Sequence, residues 1–313
     1  MKNVAIVGAG DVGGYFGGKL CQLLGEDSNL NMTLIARGAH LAAIQEKGLI
    51  LNTEKEGQLL CVPTITTDSL ESLESVDLVL LCVKEFDLAD VLERIKGSIR
   101  DDSVILPLLN GVDVYSRIRQ RISNGFVLPA CVYVGTHIES PGVVTQKGGA
   151  CKIVYGPDPR HSEYVPEGVM KLFEQANILS DWTSTVQSAI WEKFVFICSY
   201  GLVTTAYDKV IGEVVEDESL SAAVKGIMKE VLSVASALEV ALTEGVESIA
   251  FEKGRTFPYE TKTSFQRDFE QLNKKDEREL FAGAMLQYGK QKGLELPMIS
   301  ELAARLDKRK PVI

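Results

Sequence analysis

The sequence lacks the features that mark membrane-spanning, secreted and metal-binding proteins. It contains no uninterrupted apolar stretch of the ~18 residues that a transmembrane helix needs. Its six cysteines form no Cys-x-x-Cys pair and its three histidines are dispersed, so no zinc-ligand spacing emerges. An apolar strand is predicted from residue 3, which leaves no room for a signal peptide. We therefore expect a cytoplasmic protein with buried thiols, no membrane partner and no metal.

Positive charge is also scarce. The chain carries 33 lysine and arginine residues against 43 aspartates and glutamates, which leaves a net charge of −10. No basic run with interleaved aromatic residues occurs. This balance argues against nucleic acid or an anionic membrane as a general partner. It does not exclude an anionic cofactor, because such sites rely on local backbone amides and a few cations.

Two domains are predicted, because 313 residues are too many for one comfortable core. Strand-like and helix-like segments alternate as far as about residue 181, which predicts a Rossmann-like, doubly wound, mostly parallel sheet in residues 1–181. Strand-like runs are missing from residues 182–313, where the pattern predicts an all-α domain. That domain is apolar enough to support a homodimer, although no segment marks an interface.

The boundaries of the elements follow from hydrophobic period and turn residues. The predicted strands are 3–7, 32–36, 49–52, 78–83, 104–108, 126–134 and 151–155. The predicted helices are 12–25, 39–46, 85–95, 112–121, 164–176, 184–206, 217–239, 243–252, 262–292 and 296–308. Residues 138–149 predict a loop or hairpin, and Thr256–Tyr259 predicts a break between helices.

The most informative segment follows the first predicted strand. A strand, a glycine-rich turn and a helix in this order are typical of a dinucleotide-binding site. Gly8 would allow the tight turn, Gly10 would let a pyrophosphate approach the backbone, and Gly13 would let the helix pack closely on its strand. The helix N-terminus offers N–H groups and partial positive charge to the phosphates. The residues predicted to bind the cofactor here are Gly8, Ala9, Gly10, Asp11, Val12 and Gly13.

The end of the second predicted strand indicates which dinucleotide is bound. In NAD-preferring folds an acidic residue at this point binds the ribose hydroxyls. Here the strand ends in Arg37-Gly38, and no acidic residue lies between positions 34 and 43. Arg37 can pair with a 2′-phosphate, although a solvent-exposed loop arginine is the alternative. The sequence favours NADP over NAD.

Further motifs along the chain resemble the ketopantoate reductase family. They follow the glycine turn in the family's order and span nearly the whole chain. They are Leu81-Cys82-Val83-Lys84, Pro107-Leu108-Leu109-Asn110-Gly111-Val112, Ile190-Trp191-Glu192-Lys193-Phe194, Leu202-Val203-Thr204-Thr205-Ala206, Thr263-Ser264-Phe265-Gln266-Arg267-Asp268, and Glu277 six residues before Gly283. The resemblance implies NADPH-dependent reduction of 2-dehydropantoate to pantoate, a step in pantothenate and coenzyme A synthesis.

Ketone reduction needs a proton for the developing alkoxide and donors for the substrate carboxylate. Lys193 shares a helix face with apolar residues, where a lysine is costly to bury without a partner. The resemblance makes Lys193 the proton donor, against a lysine that reaches solvent past a packed helix edge. Glu277, with Glu279 as the alternative carboxylate, is expected to orient Lys193 or to bind a substrate hydroxyl.

Three other residues are candidate ligand contacts. Asn110 follows a buried strand and can hold the nicotinamide ribose or the substrate, although Asn-Gly is also a common turn. Lys84 ends another strand and can attract a cofactor phosphate or the substrate carboxylate, or remain solvated. Ser264 can donate to the substrate carboxylate or cap a helix.

The chain departs from the family pattern at its substrate end. Ile197 and Gly201 stand one and two helical turns after Lys193, where the family often has asparagines that help hold the substrate. Leu109 replaces a glutamine that is common in the family. Either other polar residues of this helix take over the contacts, or the substrate is a bulkier, less hydroxylated 2-oxo acid. The candidates for that replacement are Ser199, Tyr200 and Thr204.

Three alternatives to 2-dehydropantoate reduction stay open. The first is an NADP-dependent reductase of another 2-oxo acid. The second is a two-domain dehydrogenase of a hydroxy acid, polyol phosphate or opine. The third is a non-catalytic sensor that binds NADP(H), against which the lysine and glutamate on apolar helix faces argue, because a sensor has no need of a proton donor.

Overall fold

The computed structural model of the chain describes residues 1–25, 29–271 and 274–310. It divides into two compact units. The sheet unit comprises 1–109 and 114–186, and the helical unit comprises 110–113 and 187–313. The change of unit after Val186 lies a few residues beyond the predicted boundary at 181, because the last strand runs to Trp182 and Val186 lies against Gly156.

The strands described in the sheet unit are two to nine residues long. They are β1 (Asn3–Val7), β2 (Asn31–Ile35), β3 (Leu49–Thr53), β4 (Gly57–Cys61), β5 (Ile65–Thr67), β6 (Val76–Leu81), β7 (Ile99–Pro107), β8 (Phe126–Val127), β9 (Ala130–Tyr133), β10 (Thr136–Ser140), β11 (Val143–Gln146), β12 (Lys152–Tyr155) and β13 (Leu179–Trp182). Its helices are α1 (Asp11–Cys21), α2 (Gly38–Lys47), α3 (Glu85–Ile95), α4 (Val114–Arg119) and α5 (Glu167–Gln175).

Six of the described strands form a parallel sheet in the order β5-β2-β1-β6-β7-β8. This is the strand order of dinucleotide-binding doubly wound sheets, and it confirms the predicted fold class. The edge strand beside β2 is β5, residues 65–67, for which no strand was predicted. The predicted strand at 49–52 forms, but it lies in a second sheet of order β10-β11-β3-β4. Short strands at a sheet edge carry little hydrophobic pattern, which is why β5 escapes detection.

Helix α1 lies between these two sheets. Gly17 faces Ile6 and Leu34 of the parallel sheet, and Gly18 faces Leu51 of the second sheet. Such close approach on both sides requires small residues, which explains the glycine-rich composition of α1. Residues 136–140 and 143–146 form the hairpin β10–β11, so the hairpin alternative for 138–149 is correct.

A third sheet, of order β13-β12-β9, completes this unit. The predicted strand 126–134 is divided between two sheets, because Pro129 interrupts it and cannot donate a ladder hydrogen bond. Side chains of the parallel strands alternate between two cores, with Val4 and Ile6 in one and Ala5 and Val7 in the other. The sheet is therefore covered on both faces, as a doubly wound fold requires.

The helical unit packs its helices around one apolar core. They are α6 (Val186–Tyr207, its first residue in the sheet unit), α7 (Ile211–Glu216), α8 (Glu218–Ala237), α9 (Val246–Gly254), α10 (Ser264–Phe269), α11 (Ala284–Lys292) and α12 (Pro297–Arg309). Within the described part of the chain, no helix is both long and apolar enough to cross a membrane. A cytoplasmic location and a homodimer stay predictions.

The predicted helix 262–292 is wrong as one continuous element. Its positions 272 and 273 lie outside the described residues, α10 ends at Phe269, and a π-helical turn at Glu279–Gly283 leads into α11. The carboxylate of Asp276 accepts hydrogen bonds from the backbone N–H of Arg278 at 3.2 Å and from its guanidinium at 2.9 Å. This local pairing between a buried carboxylate and a buried guanidinium competes with a straight helix at that point.

Candidate active site

The turn after β1 has the geometry that a phosphate-binding loop requires. Gly8 has φ of +94°, and a Cβ on it would lie 2.9 Å from the backbone of Cys82, so only glycine fits. A Cβ on Gly13 would overlap the carbonyl oxygen of Gly8. A Cβ on Gly10, in contrast, would meet only Ile138, at 4.0 Å. The loop therefore has no room for a side chain at Gly8 and Gly13, where its backbone packs tightly, but leaves free space beside Gly10.

The first turn of α1 directs backbone N–H groups toward that opening. The N–H of Gly14 already bonds to the Gly10 carbonyl at 2.7 Å, whereas the preceding N–H groups of a helix have no partner within it. These donors and the helix dipole favour an anion. The segment Gly8–Gly13 can accordingly hold the pyrophosphate of a dinucleotide. The loop lies beside the end of β6, as a ligand site at the switch point of such a sheet does.

His40 contacts this loop, although no sequence motif singles it out. It is half-buried in the first turn of α2, where its Nε2 lies 2.9 Å from the Ala9 carbonyl oxygen. Its Nδ1 accepts a hydrogen bond of 3.0 Å from the backbone N–H of Gly142 in the β10–β11 hairpin. The only available signal was a single histidine three residues after Arg37, and lone histidines have many ordinary structural uses.

Arg37 precedes α2 at the end of the segment that follows β2. Its side chain is 70% exposed and forms an ion pair with Asp87 of α3. An exposed pair of this kind contributes little to stability, so the guanidinium is free to exchange partners at small cost. The position is compatible with the predicted 2′-phosphate contact, which stays a prediction. Lys84 is half-buried immediately before α3, and its predicted contact with phosphate or carboxylate is also untested.

The helical unit brings together two predicted site residues that are far apart in the sequence. The Nζ of Lys193 on α6 donates a hydrogen bond of 2.7 Å to the Oδ1 of Asn110. Asn110 belongs to this unit together with Val112, which packs against its apolar core. Since lysine can only donate, the amide oxygen of Asn110 faces Lys193 and its NH2 group points elsewhere. Lys193 of α6 and the amide of Asn110 thus form one polar pair.

Glu277 and Glu279 differ sharply in environment. Glu277 is only 3% exposed, whereas Glu279 is exposed and its carboxylate lies over Gly283. The ring of Phe281, in the π-helical turn, stacks at 6.1 Å on that of Phe194, the residue after Lys193. This turn therefore packs against the same segment of α6 that carries the lysine. A buried carboxylate needs polar partners, which makes Glu277 the stronger candidate of the two.

Ser264 does not cap α10. The cap is Thr263, whose Oγ1 accepts a hydrogen bond of 3.2 Å from the N–H of Gln266 and lies 3.0 Å from the hydroxyl of Thr204 on α6. The helix-cap alternative for Ser264 is therefore wrong, because the preceding threonine has the extended backbone that a cap needs. Ser264 itself is exposed at the start of α10, and its donation to a substrate stays a prediction.

The face of α6 beyond Lys193 is apolar. Ile197 is half-buried one turn further on, and Gly201 is buried a turn beyond that. A Cβ on Gly201 would lie 3.7 Å from the side chain of Phe265. The hydroxyl of Thr204 is itself buried and bonded to Thr263. The Tyr200 hydroxyl donates a hydrogen bond to the Phe251 carbonyl oxygen at 2.8 Å, and the buried hydroxyl of Ser199 has no hydrogen-bond partner among the described residues. Replacement of the family's asparagines by one of these three residues stays a prediction.

Comparison with known proteins identifies the family. The model of ketopantoate reductase PanE/ApbA matches residues 4–160, and the model of the C-terminal part of the same proteins matches residues 185–310. The chain belongs to the ketopantoate reductase family. It is 27% identical over 290 residues to the 2-dehydropantoate 2-reductase of Mesorhizobium japonicum, with 85% of each chain covered.

Solved structures agree with this family. The chain is similar to a PanE/ApbA family ketopantoate reductase from Ralstonia eutropha JMP134, with a TM-score of 0.86, 27% identity and coverage of 98% of this chain and 99% of that one. It also shares its fold with D-mandelate dehydrogenase, solved with NADH and anilino(oxo)acetate, with a TM-score of 0.85, 22% identity and 98% of each chain covered. The ketopantoate reductase fold therefore extends over both units.

Proposed function

We propose that this protein reduces 2-dehydropantoate to (R)-pantoate with NADPH, in pantothenate and coenzyme A biosynthesis. The observation that carries the proposal is the hydrogen bond between Lys193 and Asn110 in the helical unit. Family membership and the similar 2-dehydropantoate 2-reductase support the reaction. Reduction of a ketone requires a proton donor at the developing alkoxide, and Lys193, held by Asn110, would supply it.

The sheet unit fits a dinucleotide. The closed turn at Gly8 and Gly13, the open Cα of Gly10 and the start of α1 form a cradle for a pyrophosphate. Arg37 is the group that would pair with a 2′-phosphate, and this pairing is the basis for choosing NADPH rather than NADH. When bound, NADPH supplies the hydride for the carbonyl carbon.

The helical unit would supply the proton and the orientation. Lys193 donates a hydrogen bond to the ketone oxygen, stabilises the negative charge that develops there, and transfers a proton from Nζ to that oxygen. Asn110 holds the ammonium group by accepting a hydrogen bond from it, and its NH2 group remains available to the substrate. Glu277 would orient Lys193 or accept a hydrogen bond from a substrate hydroxyl. Ser264 and Lys84 are proposed as donors to carboxylate or phosphate.

One observation favours a second candidate, reduction of a less hydroxylated 2-oxo acid. Ile197, half-buried one turn after Lys193, offers apolar surface along α6, and the next position on this face is the buried Gly201. A substrate hydroxyl placed there would lose its hydrogen bonds to water without gaining others, at a cost of about 1–3 kcal/mol. The structure of D-mandelate dehydrogenase with NADH and anilino(oxo)acetate, an aromatic oxo acid derivative, supports this second candidate.

The decisive experiment follows NADPH oxidation at 340 nm with 2-dehydropantoate. We expect turnover in the unchanged protein and a loss of roughly 10²- to 10⁴-fold in Lys193→Ala, because the proton donor is gone. Lys193→Arg is the matched control, since it keeps charge and a donor for Asn110 but resists deprotonation. Compared with Lys193→Ala, the Lys193→Arg variant should recover more of the substrate affinity than of the turnover.

NADPH binding, measured by fluorescence titration, should be unchanged in both variants. Near-normal turnover in Lys193→Ala would contradict the assigned proton donor. Turnover only with other 2-oxo acids would favour the second candidate. Tight NADPH binding without turnover on any 2-oxo acid would instead favour a sensor.

A further inference from the structure

The two ring nitrogens of His40 have different roles, and the contacts define them. A carbonyl oxygen can only accept, so the Nε2 facing Ala9 at 2.9 Å carries the hydrogen. The N–H of Gly142 can only donate, so Nδ1 is the bare nitrogen. Burial lowers the pKa of His40, and the opposing effect of the bond to Ala9 is smaller. The ring is thus neutral, with its Nε2–H bonded to Ala9 and its Nδ1 bonded to Gly142.

The donor contact restrains one peptide group of the phosphate-binding loop. The carbonyl of Ala9 and the N–H of Gly10 belong to the same trans peptide, so they point in opposite directions. When His40 holds the carbonyl on one side, the N–H of Gly10 is directed to the other. The Cα of Gly10 is also the open point of the loop, with only Ile138 near it.

We propose that His40 is a positioning residue for dinucleotide binding, which orients the Ala9–Gly10 peptide so that the Gly10 N–H meets the pyrophosphate. This inference rests on the proposed NADPH-dependent function. It adds a role for a side chain that itself makes no contact with the reacting atoms. The bond to Gly142 would serve only to hold the ring and the hairpin together.

Two substitutions separate the two bonds. The amide nitrogen of His40→Gln reaches about as far as Nε2 and can still donate to Ala9, but it offers nothing at the Nδ1 position. The amide oxygen of His40→Asn replaces Nδ1 and can still accept from Gly142, but it leaves the Ala9 carbonyl free. Each variant loses one hydrogen bond, so both should lose similar thermal stability. Only His40→Asn releases the Ala9–Gly10 peptide from its hydrogen bond to residue 40.

The test measures the NADPH dissociation constant, the KM for NADPH, kcat and the melting temperature of both variants. We expect His40→Asn to weaken NADPH binding about tenfold, with kcat at saturating cofactor preserved. His40→Gln should retain the affinity of the unchanged protein at a similar melting temperature. Affinity that falls equally in both variants, in step with stability, would overturn the inference, and so would unchanged affinity in His40→Asn. Failure of the unchanged protein to bind NADPH would instead overturn the proposed function, and this role with it.

Discussion

The two units carry their candidate functional groups in different ways. The candidate functional groups of the sheet unit are mainly backbone groups. They are a glycine turn whose shape depends on the lack of side chains and the N–H groups at the start of α1, beside a histidine bonded to the Ala9 carbonyl. The helical unit offers side chains, above all Lys193 and its partner Asn110, on a helix whose other residues are largely apolar.

This contrast follows from the chemistry that each unit would perform. A pyrophosphate carries diffuse negative charge that many backbone dipoles can share, so packing geometry matters more than residue identity. Proton transfer needs one titratable atom at one place, which only a side chain provides. Substitutions in the glycine turn of the sheet unit should therefore act through shape, and those in the helical unit through chemical identity. Arg37 is the exception, a sheet-unit residue expected to act through its charged side chain. Three substitutions test that division, beyond those given above.

The largest effect is expected from Gly13→Ala. Its methyl group would overlap the Gly8 carbonyl oxygen, so the loop must move, with destabilisation of about 1–3 kcal/mol and loss of NADPH binding. Gly10→Ala is the matched control, because its methyl group has room in the free protein. It should change the free energy of unfolding by less than about 1 kcal/mol and still weaken NADPH binding. Chemical denaturation and fluorescence titration measure both quantities. Equal stability of the two variants would contradict the shape argument.

A smaller effect is expected from Arg37→Ala. Loss of charge-assisted hydrogen bonds to a 2′-phosphate should weaken NADPH binding by roughly 10- to 100-fold and leave NADH binding nearly unchanged. Asp87→Asn removes the present ion-pair partner of Arg37 and serves as the control. It should not weaken NADPH binding. Unchanged NADPH binding in Arg37→Ala would refute the 2′-phosphate contact and leave the sheet unit as a purely backbone binder. An equal loss of NADPH and NADH binding would refute the 2′-phosphate contact as well.

The smallest effect is expected from Ile197→Asn. An amide next to Lys193 should raise the ratio of kcat/KM for 2-dehydropantoate to that for its analogue without the hydroxyl, 3,3-dimethyl-2-oxobutanoate, by about tenfold. Ile197→Val keeps the apolar surface and should leave the ratio unchanged. Steady-state kinetics with both acids measure it. A ratio that is the same in all three proteins would show that Ile197 does not line the substrate site.

Local sequence patterns were sufficient to predict much of the secondary structure of the sheet unit. Strand β1, the glycine turn and α1 follow one another within about twenty residues, and each has its own signal in period and composition. Edge strand β5 is short and was missed, and the departure of β3 to a second sheet has no local signal at all. The helical unit shows the same limit at 262–292, where the buried pairing of Asp276 with Arg278 interrupts a helical pattern.

The sequence by itself determined the fold class, the place of the glycine turn and the identity of Lys193 as an unusual lysine on an apolar helix. Those signals are local, because helix and strand periods and close backbone packing are written in neighbouring residues. Only the tertiary structure decided that Asn110 meets Lys193 across 83 positions, that Glu277 rather than Glu279 is buried, and that His40 holds the Ala9 carbonyl. Each of these depends on how separate elements pack, and the free energy of that packing is shared among residues that no short segment contains.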